Sequence, residues 1–289
     1  MKITKAVIPA AGLGTRILPA TKAIPKEMVP IVDKPAIQYI VEEAVKSGIT
    51  DILIITNRGK EALQDHFDRN PELEGVLEKS GNISVLESLK SISSMANIYF
   101  IRQKEIRGLG HAVSCAKSFV GNEPFAVLYG DDVIESEEPV CAQLIRAFDE
   151  FGMGVLGAKQ MPKEEIGRYG SLKVENIRDN LFMCTDMVEK PTPDKILSLY
   201  SILGRCVLTP EIFDILENTP PGAGGEIQLT DAMKVMARKS GMIAVDFIGK
   251  RYDIGNKLGI MQASVELALK HPEISEPFKK YIKELSKKL

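Results

Sequence analysis

Residues 5–26 read Lys5-Ala-Val-Ile-Pro-Ala-Ala-Gly-Leu-Gly-Thr-Arg-Ile-Leu-Pro-Ala-Thr-Lys-Ala-Ile-Pro-Lys26, and the reading of this stretch decides the fold. Residues 6–8 are a short buried strand, and nothing from Ala10 to Gly14 is larger than Leu13, so a flat ligand can lie directly on the backbone there. Thr15, Arg16, Lys22 and Lys26 then add a hydroxyl and three cations. A small-residue platform followed by positive charge suits a nucleotide, with the base on the backbone and the phosphates on the cations. Taken alone, the glycines are equally a strand-to-loop turn beside solvated lysines. Three cations spaced through a proline-stiffened loop favour the ligand.

Two familiar phosphate loops are excluded. A P-loop needs four residues between its glycines followed by Gly-Lys-Ser/Thr, whereas Gly12 and Gly14 are two apart and Thr15 follows. The dinucleotide fingerprint needs a third glycine where Ile17 stands, and a helix opening at once, which Pro19, Pro25 and Pro30 forbid.

Outward from this loop, residues 34–48 carry apolar side chains at 37, 40, 41, 44 and 45, the helical period, with Pro35 at the start and Gly48 as the stop. Residues 51–56 are a continuous apolar strand, which completes a βαβ unit. The alternation repeats with strands at 97–102 and 124–130 around a helix at 110–119, followed by a helix at 139–150 and a strand at 153–159. Residues 61–91 are polar and helical without a clear period. Residues 169–190 read as shorter, alternating strands of a mixed sheet. A strand at 198–208, helices at 210–218 and 227–240 and a strand at 242–248 follow, and the chain is helical from 256.

These elements predict an α/β fold: a Rossmann-like three-layer α/β/α arrangement with a mixed, mainly parallel central sheet and a C-terminal helical segment. Residues 1–255 are expected to form the main domain, with 1–135 mainly the nucleotide-binding part and 136–255 a second part built on the mixed sheet. Residues 256–289 would form the appended helical segment, a candidate oligomer interface.

The 289 residues suffice for a large core, and a formal charge of -2 with pI near 6.1 gives no global attraction to nucleic acid or anionic membrane. Glu276 and Glu284 interleave with Lys279, Lys280, Lys283, Lys287 and Lys288, which marks a solvated helix face. Cys115, Cys141, Cys184 and Cys206 are far apart with no C-x-x-C pair, the pattern of reduced thiols and not of zinc or a disulfide framework. No apolar run reaches membrane-span length and no signal-peptide region precedes the first strand, so the expected location is the cytoplasm.

Four further constellations carry possible chemistry. Gln103-Lys-Glu-Ile-Arg-Gly-Leu-Gly-His-Ala-Val113 follows a strand; the Gln103 amide can pair with the edge of uracil or thymine, and Gly108 and Gly110 admit a base closely. The same residues also serve simply as a glycine-bearing helix start, and His111 reads as a packed helix residue. Asp131-Asp132, straight after a buried strand, is a common place for Mg²⁺ or, alternatively, a capped turn; adjacent residues point opposite ways, so one carboxylate faces a metal and the other is structural. Asp253, in Arg251-Tyr-Asp-Ile-Gly255, gains meaning only if paired with Asp131. Glu189-Lys190-Pro191 diverge on an extended chain, one suited to sugar hydroxyls and one to a phosphate, or they form a surface ion pair.

Several of these segments together resemble the nucleoside-diphosphate-sugar pyrophosphorylases. Ala10-Ala-Gly-Leu-Gly-Thr-Arg16, Leu18-Pro-Ala-Thr-Lys22 and Pro25-Lys-Glu-Met28 are similar, more narrowly, to the bacterial UTP–glucose-1-phosphate uridylyltransferases. The resemblance implies that Ala10, Ala11 and Gly12 take the base with Gln103 and Gly108. Gly14, Thr15 and Arg16 wrap the phosphates, and Lys26 lies where pyrophosphate leaves. It places Mg²⁺ on Asp131 and Asp253, glucose hydroxyls on Glu189 with backbone at Gly170, and the sugar phosphate on Lys190. The segment 225–231 resembles one near the sugar, or is a capped helix start. One departure is Tyr129-Gly130 before the aspartates, where the family often has Leu-Pro, a change expected to alter the turn and not the carboxylate.

The implied reaction joins UTP and glucose 1-phosphate into UDP-glucose and pyrophosphate, with Arg16, Lys26 and Lys190 neutralising the reacting polyanions. The competing readings are a thymidylyltransferase on the same sugar phosphate and a non-catalytic regulatory paralogue that binds nucleotide sugar. Ala10-Ala11 and Leu18-Pro-Ala-Thr21 favour UTP, and retention of Arg16, Lys26, Asp131, Glu189 and Lys190 favours catalysis. Self-association as a homodimer or homotetramer is the family expectation.

Overall fold

The computed structural model describes residues 2–288. Nine strands form one sheet, in the order Asn97–Arg102, Asp51–Thr56, Lys5–Pro9, Phe125–Leu128, Tyr200–Leu208, Val155–Gln160, Met242–Asp246, Leu181–Glu189, Gly170–Arg178. Side chains alternate across it. Ala6, Ile8, Ile52 and Ile54 pack on one face with Ile37 and Ile40 of helix Ala36–Lys46 and Leu144 of helix Val140–Phe151. Val7, Leu53 and Ile55 pack on the other with Val113, Phe213 and Met233. Each fully buried side chain of this size contributes about 2 kcal/mol, and a slip of one residue would reverse every one of them, so the alternation fixes the register. The three layers expected from the sequence are therefore present.

The sheet is mixed, but not mainly parallel. The first four strands in the order run parallel, as do Val155–Gln160 and Met242–Asp246. Tyr200–Leu208 runs antiparallel to three neighbours, and Leu181–Glu189 to two. The reason is physical: a strand buried on both faces is apolar throughout, whichever way its neighbours run, so composition carries no direction. The segment read as short strands at 169–190 is instead a hairpin of two nine-residue strands, Gly170–Arg178 and Leu181–Glu189. The polar stretch read at 61–91 is three helices, Ala62–Phe67, Pro71–Lys79 and Ile83–Ser94.

A two-stranded ribbon escaped sequence reading. Asp132–Glu135 pairs antiparallel with Lys250–Asp253, with Asp132 opposite Asp253, and the Ile254 N–H donates to the Asp131 carbonyl at 3.0 Å. This ribbon brings Asp131 and Asp253 to one place. The C-terminal helices are Lys257–Ala268 and Ser275–Ser286, and among the described residues no helix is long and apolar enough to cross a membrane.

Candidate active site

The parallel strands end on a cleft of about 380 Å³ whose lining includes Ala11, Gly12, Arg16, Lys26, Gln103, Gly108 and Asp131. Seven of the residues singled out from sequence therefore share one cavity. Ala10 lies beneath it, and Gly14 and Thr15 do not line it. Pro9, Ile106, Leu109, Ala112, Tyr129, Gly130 and Glu226 complete its wall, and none of them was assigned a site role from the sequence. The Gly130 turn has a local cause: a Cβ there would sit 2.7 Å from the Pro9 carbonyl oxygen, so glycine lets this strand end pack against the platform.

The platform rests on a charge pair that sequence reading missed. The Lys60 ammonium, 6% exposed, donates to both Glu27 oxygens at 2.9 and 2.8 Å and to the Ala10 carbonyl, while the Asn57 amide donates to the Ala11 carbonyl. Burial pushes the Glu27 carboxyl up and the Lys60 ammonium down, and the opposite charge of each partner resists both shifts. No signal marked Lys60, since it sits in a polar loop of unclear period.

Asp131 stands at the centre. Its Oδ2 accepts from Lys26 Nζ at 2.7 Å and lies 3.9 Å from an Arg16 nitrogen, whose other nitrogen is 4.0 Å from Asp253 Oδ2. Burial favours the neutral Asp131 carboxyl, but Lys26, Arg16 and Arg251 outweigh it and hold its pKa below the usual range. Burial likewise opposes charge on Lys26, and Asp131 with Glu27 overcomes it, raising the Lys26 pKa. Both groups are thus charged near neutral pH.

Gly255 shows how closely the two aspartates converge. A Cβ there would lie 2.9 Å from Asp253 Oδ1, 3.0 Å from Asp131 Oδ2 and 2.5 Å from an Arg16 nitrogen. One point is thus within 3.0 Å of an oxygen of each carboxylate, and only a hydrogen atom occupies it. Two carboxylates are the protein share of a typical Mg²⁺ site, in which water and phosphate supply the remaining ligands. Among the described residues no group of three or more His, Cys, Asp or Glu side chains gathers to hold a metal ion.

Asp132 points away from Asp131, as the alternation of an extended chain requires. It is buried and bonded to Arg251, whose Nε lies 2.7 Å from Asp132 Oδ1; burial pushes its carboxyl up to about 6 against the pull of Arg251. Beneath it, Arg205 bonds Glu43 and the Asp132 carbonyl, a buried chain of charges under the carboxylate edge.

A second cleft of about 720 Å³ adjoins the first through Arg16 and is lined by Arg168, Tyr169, Arg251 and Asp253 among others. Gly170, Glu189 and Lys190 do not line either cleft but flank Tyr169. Gly170 is opposite Glu189 in the hairpin, and the Lys190 N–H donates to the Tyr169 carbonyl at 3.0 Å. Glu189 accepts a hydrogen bond from Thr230 at 2.7 Å. The expected extended course through Glu189-Lys190 is corrected: Lys190 has φ 43°, so the chain turns sharply before Pro191. Its ammonium is exposed, 3.9 Å from Glu189. Segment 225–231 ties the first cleft to the hairpin, because Ile227 exchanges backbone hydrogen bonds with Arg107 and Gly110 while Thr230 donates to Glu189.

Comparison with known proteins identifies the family. A curated UTP–glucose-1-phosphate uridylyltransferase of Staphylococcus epidermidis is 52% identical over 284 residues, 98% of this chain and 99% of its own. A UTP-bound UGPase from Acinetobacter baumannii is 38% identical with a TM-score of 0.91, covering 98% of this chain and 99% of that one. A UDP-glucose pyrophosphorylase crystallised with UDP-glucose is 39% identical with a TM-score of 0.85, over 93% of this chain and 100% of that one. The Nucleotidyl transferase profile matches residues 5–270, so this chain, with its glycine-rich platform and converging carboxylates, belongs to the nucleotidyl transferase family.

Proposed function

We propose that the chain forms UDP-glucose and pyrophosphate from UTP and glucose 1-phosphate. The observation that carries this reading is the meeting of two clefts at Arg16, Asp131 and Asp253, one walled by small residues and an amide, the other by arginines. The 52% identity to a uridylyltransferase over nearly the whole chain supports UTP and glucose 1-phosphate as its substrates.

The attacking phosphate oxygen is already an anion near neutral pH, because the second pKa of a phosphate monoester is about 6. A general base is not required. The barrier lies in bringing two polyanions together in line, so positioning and charge neutralisation dominate. Ala11 and Gly12 receive the uracil, with Gln103 and Gly108 at its edge. Arg16 and Lys26 neutralise the triphosphate, and Lys26 remains charged because Asp131 holds it. Glu189 and Gly170 bind the glucose, and Lys190 steadies its phosphate. Asp131 and Asp253 would hold Mg²⁺, which when bound draws charge from the phosphate oxygens and supports in-line displacement.

The test is pyrophosphate release with glucose 1-phosphate and UTP, dTTP, ATP or CTP, with and without Mg²⁺. The expected result is Mg²⁺-dependent release fastest with UTP. Faster release with dTTP would make the chain a thymidylyltransferase, and nucleotide-sugar binding without release with any nucleotide would make it a regulatory paralogue.

A further inference from the structure

Gln103 is 4% exposed, and its side-chain amide already has two partners within the chain. Nε2 donates to the Gly108 carbonyl at 3.2 Å and lies 2.8 Å from His111 Nδ1. A carbonyl oxygen can only accept, so the amide atom facing Gly108 is the NH₂ group. That group offers two hydrogens, and the second meets His111, whose Nδ1 must therefore be the bare nitrogen, with the ring proton on Nε2. Burial first, and then the Arg107 guanidinium, hold the His111 pKa below its ordinary value against the opposing Glu105, so the ring is neutral at pH 7. With both amide hydrogens committed, the group left to a ligand is Gln103 Oε1, which accepts no hydrogen bond among the described residues.

We propose that His111 is a specificity-determining positioning residue: by accepting from Gln103 it locks the amide with Oε1 toward the base, so that the site takes pyrimidines whose N3 carries a hydrogen. Uracil and thymine offer that N3–H. Cytosine presents a lone pair at the same position, and two acceptors then face each other in a partly desolvated cleft. The inference rests on the reading of the cleft as a nucleotide site, and it gives a role to a helix residue that packing alone would not require to be histidine.

Without His111 the amide keeps only its longer bond to Gly108 and can turn over about its last torsion, presenting NH₂ to the base instead. His111→Phe keeps a ring in the helix but removes the acceptor. His111→Asn restores an acceptor at the place of Nδ1, because its amide oxygen overlies that ring position. Binding of UTP and CTP to the wild type and both variants, measured by calorimetry, should show the UTP-to-CTP affinity ratio falling about fivefold or more in His111→Phe and recovering in His111→Asn. A ratio unchanged in His111→Phe overturns the role. Nitrogen NMR of the wild type gives a reading that does not depend on any variant folding: a bare Nδ1 is expected, and a protonated Nδ1 overturns the assignment. Pyrophosphate release is measured separately, so absent catalysis with the binding ratio intact would count against the proposed reaction and not against His111.

Discussion

The cleft over strand Lys5–Pro9 has a floor of small residues, Ala11, Gly12, Gly108, Ala112 and Gly130, within its lining, whereas the one beside Tyr169 includes three arginines and the carboxylates Glu165 and Asp253, drawn from distant parts of the chain. In the first, neighbouring parallel strands end side by side, and contiguous loops such as 10–16 and 103–108 form the surface directly. In the second, antiparallel strands carry their loops to opposite edges, so a polar wall has to be assembled across large sequence separations. Its lining brings Arg16 together with Arg168 and Tyr169 and with Arg251 and Asp253, and Arg251 is held from behind by Asp132, 119 residues away. Shape at one end is set by backbone and at the other by paired side chains. Substitutions should therefore fail differently at the two ends.

The sharpest way to break this contrast is at the point both ends share. Asp131→Asn should lower kcat/KM for pyrophosphate release by about 10³-fold, equivalent to about 4 kcal/mol, at fixed Mg²⁺. Wild-type turnover would show that the carboxylate is not where the halves meet. Next, Lys60→Met leaves Glu27 buried without a partner and should destabilise the fold by about 3 kcal/mol in a urea titration, with Glu27→Gln added to the same chain restoring much of the loss. An unchanged midpoint would separate the platform from its charged support. The smallest effect is at the proposed sugar end, where Lys190→Ala, an exposed residue, should lower kcat/KM for glucose 1-phosphate by about 30-fold, or about 2 kcal/mol, while UTP binding holds. Equal losses for both substrates would erase the distinction.

The same contrast explains what was legible in the sequence. Residues 5–16 and 51–56 announced themselves because a buried strand running into glycines has few other interpretations, and seven predicted residues were found around one cleft. The direction of Tyr200–Leu208 was not legible, because burial on both faces leaves the same apolar run for either orientation. Nor was the ribbon that joins Asp132 to Asp253, each of its strands being four residues long and too short for a period. Lys60 and Glu27 were invisible for a related reason. Charged residues are read from sequence as solvated, and only the packed chain reveals that these two face each other away from water.

Lys190 shows a last consequence. Its φ of 43° falls in the left-handed region, immediately before a proline that favours extended backbone, and an ordinary side chain there costs on the order of 1 kcal/mol relative to an unstrained residue. Glycine would adopt the turn more readily, yet it would carry no ammonium. With the role proposed for Lys190, stability and activity ask for different amino acids at this one position: a chain selected only for thermal resistance would drift toward glycine and lose its cation, whereas one selected for turnover keeps a strained turn beside Tyr169.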